Sequence, residues 1–257
     1  MSGRTSSTRV ARSEALRQRS FWGYFSQRPN LATDLIFVVP VLLTYQIGTF
    51  YTDQRNGVDL VTTLMFRLRA ESEYAFLGLS IGLLVALVVL YARLRSRERL
   101  RLRMVGPVAL ESAVYAFFMG NAILFVMTRL LGMPVPSVSV GGGMDGWMVV
   151  YISAGAGLHE ELVFRLLMMG GILAALRRWT RLGAATTLII ALAVSAVLFS
   201  AAHHVPPHGE PFTEFAFVYR LLAGVVFGLL YHYRGFATAV YTHFLYDVLV
   251  LGLWSSG

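Results

Sequence analysis

The chain has 257 residues, 56% of them hydrophobic and 14% charged. Its mean hydropathy is positive, which excludes an ordinary soluble domain, where about 25% of residues are charged, and points to an all-α, polytopic membrane bundle. The formal net charge is +8 and every basic residue is Arg, but the arginines sit in short segments beside apolar runs, the positive-inside pattern, so a lipid bilayer and not nucleic acid is the expected partner. With no cysteine, a disulfide framework and a Cys-ligated metal are both excluded.

Residues 1–30 carry Arg4, Arg9, Arg12, Arg17, Arg19 and Arg28 against Glu14, with no apolar run, so a cytoplasmic tail is expected there rather than a cleaved signal peptide. Residues 31–131 read as N-terminal membrane helices. A first span over 31–50 should kink at Pro40. Residues 51–73 mix Asp53, Arg55, Asp59, Arg67, Arg69, Glu71 and Glu73 with apolar residues, as an external loop with an interfacial helix would. A second span over 74–94 runs into arginines from Arg93 to Arg103 opposed by Glu98, the strongest cytoplasmic marker in the chain. A third span over 107–131 contains Glu111 and Asn121, and a Pro- and Gly-rich connector follows.

Residues 147–254 form the remaining unit, with spans predicted over 147–176, 182–203, 212–233 and 235–254. About seven spans with the N-terminus in the cytoplasm put Arg93 to Arg103, Arg177 to Arg181 and Arg234 on one side and the C-terminus on the other. This arrangement suits a cell membrane, of the bacterial inner-membrane kind. No internal repeat of the sort many transporters carry stands out.

The fourth span holds the most expensive residues: Gly157-Leu158-His159-Glu160-Glu161-Leu162-Val163-Phe164-Arg165. A Glu or Arg at mid-bilayer costs about 2.5–3.5 kcal/mol on insertion scales, so the cluster needs a compensating use. At helical spacing Glu161 and Arg165 can pair, while Glu160 points about 100° round the helix toward another neighbour. Gly155, Ala156 and Gly157 would allow a second backbone to approach. His159 is expected to face a different helix.

On the seventh span His243 and Asp247 are i,i+4, so the carboxylate can fix the imidazole tautomer; His203 closes the fifth span four residues after Phe199. If the three spans converge, Glu160, His203, His243 and Asp247 supply a base, two imidazoles and an orienting carboxylate, the parts needed to activate water or hold a divalent metal. Zinc through His203, His243 and Glu160 is chemically reasonable, but four residues after His159 comes Val163, so the His-Glu-x-x-His zinc motif is absent. Arg220 is expected to pair with Asp247 or Glu111, or to meet a substrate carboxylate; Asp34 and Glu111 read as interface or packing residues.

Glu160-Glu161-xxx-Arg165, Phe199-xxx-His203 and His243-xxx-Asp247, in this order on three late spans, resemble the three motifs of the CPBP family of intramembrane proteases, which includes the type II CAAX prenyl endopeptidases. The resemblance implies hydrolysis of a peptide bond in a membrane-anchored or lipidated substrate. Glu160 and His203 would activate the water, His243 and Asp247 would position it or hold the oxyanion, and Glu161 and Arg165 would support the site, by a glutamate-type or metal-dependent route. Asp247 departs from the Asn usual in the type II enzymes. A non-catalytic membrane chaperone or immunity protein of the same fold, or a proton-coupled transporter, are the rival readings.

Overall fold

In a computed structural model of the chain, residues 28–51, 99–135, 145–205 and 210–255 are described, with scattered positions between 67 and 93. The tail before residue 28, most of the expected external loop and second span, and His208 lie outside the described residues. The described elements are helical, with no strand among them.

The first span is two helices, α1 (Leu31–Phe37) and α2 (Val39–Tyr51). The break at Val38 comes two residues before Pro40, which lacks the N–H that a continuous helix would point at the Ile36 carbonyl. The Val38 N–H bonds back to the Asp34 and Ile36 carbonyls instead. The third span starts earlier than predicted, as a short 3-10 turn, Leu102–Met104, leading into α3 (Val105–Phe125) and a π turn, Val126–Leu130.

The fourth span is α4 (Gly146–Glu160), a π-helical stretch Glu161–Met169 and α5 (Gly170–Trp179). Then come α6 (Ala184–Ala202), α7 (Glu214–Arg234) and α8 (Phe236–Ser255). Four helices among the described residues are long and apolar enough to cross a membrane: Leu31–Thr49, Leu102–Leu130, Ala184–Ala202 and Glu214–Arg234; Phe236–Gly252 is a shorter apolar helix. The structure is thus an all-α membrane bundle, and among the described residues four of the seven expected spans meet both criteria.

Helix α8 lies at the centre, packed on α3, α4 and α7, while α2 packs on α4 and α6 on α7. Its N-terminus is capped from a distant part of the chain. The buried Asp34 carboxylate accepts from the Phe236 N–H at 3.0 Å and the Ala237 N–H at 3.1 Å, satisfying two of the donors that every helix start leaves open. Between α7 and α8, Gly235 has φ +110°, and a Cβ there would sit 2.9 Å from an Asp34 oxygen, so the turn needs glycine for both conformation and space.

Polar groups tie the helices elsewhere as well. Glu111 accepts from Arg234 Nε at 2.6 Å and Nη2 at 2.8 Å, and from the Tyr115 hydroxyl at 2.7 Å. This forked pairing holds α3 to the end of α7. The arginine that reaches Glu111 is therefore Arg234 and not Arg220, which bonds Glu210 instead. Ser195 donates to the Phe164 carbonyl and Ser112 to that of Thr238, the side-chain-to-backbone bonds that hold membrane helices together.

Candidate active site

Four elements converge on one buried cluster. Glu160 ends α4, Glu161 opens the π stretch and Arg165 lies in its middle, His203 closes α6, and His243 and Asp247 lie on α8. Close approach of α4 and α8 makes this possible: a Cβ on Gly157 would lie 2.8 Å from the Phe244 backbone nitrogen, and one on Gly155 would enter the Tyr45 ring of α2. The small residues ahead of the carboxylates thus admit a backbone on one side and an aromatic ring on the other.

Glu161 and Arg165 are both 0% exposed, with Arg165 Nε 3.2 Å from Glu161 Oε2, which bears out the expected pair. The same guanidinium donates from Nη2 to the Gly224 carbonyl at 3.3 Å. Its carbon lies 4.2 Å from the Phe199 ring centre and 5.5 Å from that of Phe227, within cation–π range. The cation is surrounded by an anion, a carbonyl and two ring faces.

The other oxygen of Glu161 meets His243 Nδ1 at 2.9 Å. Since a carboxylate accepts and Arg165 keeps it paired, Nδ1 is the donor, and the bond directs Nε2 into the site. The expectation for Asp247 changes accordingly: Asp247 Oδ2 lies 3.5 Å from His243 Nε2, so the tautomer is fixed by Glu161 while Asp247 faces the working nitrogen. The reason is geometric. Nδ1 is the ring nitrogen nearer the backbone and meets the neighbouring helix, whereas a side chain one turn on reaches the ring's far edge. Phe227 stacks on one face of the ring, with centroids 4.4 Å apart and ring planes 15° from parallel.

His203 is held in a similar way. Its Nδ1 lies 2.9 Å from the Phe199 carbonyl, an acceptor only, so this nitrogen carries the hydrogen and Nε2 faces Glu160 Oε2 at 3.5 Å. His243 Nε2 is 3.9 Å from the same oxygen. Two imidazoles with occupied Nδ1 atoms therefore aim their Nε2 atoms at one buried carboxylate. Exposure rises from 0% at Glu161 to 23% at the Asp247 side chain and 27% at the His203 side chain, so the mouth lies on the side of these two residues.

The four candidate catalytic residues and both supporting residues are brought together. His159 is not: its Nδ1 meets the Gly155 carbonyl and its ring packs edge-on against Tyr45, the different helix expected for it. Phe227 and Gly224 were missed by the sequence reading. The only trace of them is the Gly224-xxx-Gly228 spacing, which marks a close-packing face of α7 beside Phe227. Glu160, His203 and His243 are donors of the types zinc accepts, yet among the described residues no three His, Asp or Glu side chains group as ligands of one ion.

An all-helical membrane bundle with a buried carboxylate–imidazole cluster at the meeting of three late spans is the class of protein these features define. Residues 143–249 match the family model described as Type II CAAX prenyl endopeptidase Rce1-like, so this part of the chain is similar to that family, and the apolar helices mark an integral membrane protein. No curated protein and no solved structure matches it.

Proposed function

We propose that the chain is an intramembrane endopeptidase that hydrolyses a peptide bond in a membrane-anchored substrate, by a glutamate-type mechanism. The observation that carries this reading is the convergence of His203 Nε2 and His243 Nε2 on Glu160 Oε2, at 3.5 and 3.9 Å. A water donating to Glu160 and to His203 Nε2 loses a proton to this pair as its oxygen attacks the scissile carbonyl. His243, oriented through Nδ1 by Glu161, donates from Nε2 to the oxygen of the tetrahedral intermediate. Asp247 balances that imidazolium. The proton taken from water then passes to the leaving amine, so the peptide bond gives one carboxylic acid and one amine.

The Arg165 guanidinium and the Phe199 and Phe227 rings hold these groups without touching substrate. Because α6 is 19 residues long, or about 28 Å, His203 sits a full membrane-crossing distance from the arginines at 177–181. With those arginines and the N-terminus in the cytoplasm, the mouth opens toward the opposite face.

The test is cleavage, by the purified protein in liposomes, of a farnesylated CAAX peptide and of a peptide anchored by an apolar helix, each with and without a chelator. Wild-type protein is expected to cleave at least one of them with or without chelator, and Glu160→Gln to lose about 10³-fold or more while keeping its thermal transition. Full activity in Glu160→Gln contradicts the reading. Loss with chelator alone moves the mechanism to a metal.

A further inference from the structure

Arg220 and Glu210 lie outside the three motifs, yet they are joined to His203 by an unbroken set of bonds. Arg220 Nη2 donates to Glu210 Oε2 at 2.6 Å. The Glu210 backbone N–H donates to the His203 carbonyl at 2.8 Å, and the Glu210 carbonyl meets His204 Nδ1 at 3.2 Å. His203 is the first residue after α6, where a helix frays most readily unless its last carbonyls find partners. On α7, Arg220 stands one and two turns before Gly224 and Phe227 on the same face, the face that packs against Phe199 and stacks on His243.

We infer that Arg220 and Glu210 are positioning residues for His203: their ion pair straps the end of α6 to α7 and so holds the imidazole, through its Nδ1 bond to Phe199, with Nε2 toward Glu160. The inference rests on the proposed role of His203 but not on any particular substrate. A pair of this kind contributes little to overall stability, because the Glu210 side chain is 62% exposed. Its effect should therefore be local.

Two measurements test this. In protein labelled with ¹⁵N-histidine, with the signals assigned by a His203→Gln variant, wild-type His203 should show its hydrogen on Nδ1. Arg220→Ala and Glu210→Ala should each spread that signal over both ring nitrogens, and Arg220→Lys should retain it. On a peptide the wild-type protein cleaves, either alanine variant should lower kcat about tenfold with KM unchanged, and the double variant no further. An unchanged His203 spectrum in both alanine variants overturns the inference. So does a raised KM with unchanged kcat in Arg220→Ala alone, which would make Arg220 a substrate contact. Failure of the peptidase reading is recognised separately, by full activity in Glu160→Gln.

Discussion

Each imidazole in the site has one nitrogen committed to the protein, and the identity of that partner decides what the other can do. His243 gives Nδ1 to a carboxylate already paired with Arg165, whereas His203 gives Nδ1 to a neutral carbonyl. The first ring thus has a charged acceptor behind it and the second a neutral one, two settings for one residue type. Phe227 completes the arrangement by closing one face of His243. Phe227→Leu keeps an apolar side chain but removes the stacked ring, and is expected to lower kcat about tenfold while leaving KM within twofold, since an aromatic contact contributes about 0.5–1.5 kcal/mol beyond burial. Steady-state kinetics on a cleaved peptide checks this. At this scale the sequence was readable wherever a residue is costly in lipid: Glu160, Glu161, Arg165, His203, His243 and Asp247 stand out against apolar neighbours. Phe227 is one apolar residue among many and carries no such mark, and the division of labour between Glu161 and Asp247 depends on which ring nitrogen each reaches, a matter of packing between helices.

At the scale of elements, the site depends on where helices start, widen and touch. A π stretch begins directly after Glu160, a feature often found at functional sites, and no periodicity in this apolar segment announces it. The Gly155–Gly157 run did announce close packing, and Phe244 and Tyr45 supply it. Asp34 read only as an interface or packing residue because its partners are backbone N–H groups 202 and 203 positions away. Asp34→Ala leaves the start of α8 uncapped and should cost about 1–2 kcal/mol of stability, read as a lower unfolding temperature in detergent. Gly235→Ala should destabilise as well, because its Cβ both strains the turn and meets the same carboxylate. An unchanged transition in both variants would contradict the assigned role of this cap.

Over the whole molecule, the N-terminal helices are integral to the bundle that holds the site. Residues of α1, α2, α4 and α8 share one buried cluster, and residues of α3, α7 and α8 share another. The pairing of Glu111 with Arg234 adds a polar tie between these parts. The all-helical membrane class was evident from composition and charge spacing. Which helices touch was not, because lipid-facing and core-facing residues are equally apolar and leave no amphipathic stripe to read. Orientation can be tested simply in a chain without cysteine. A cysteine replacing the exposed Val205 should react with a membrane-impermeant maleimide on intact cells, and one replacing the exposed Trp179 only after permeabilisation. The reverse pattern would place the mouth on the cytoplasmic side.

The claim that Glu160 activates water, rather than attacking the substrate itself, is tested most directly by a single turnover in H₂¹⁸O with enzyme in excess over a cleaved peptide. Mass spectrometry of the new carboxyl terminus should find ¹⁸O in the first turnover, and Glu160→Gln should release product about 10³-fold more slowly or not at all. An unlabelled first-turnover product would mean that the oxygen came from Glu160 through an acyl intermediate, and product from Glu160→Gln at the wild-type rate would mean that this carboxylate is not the base.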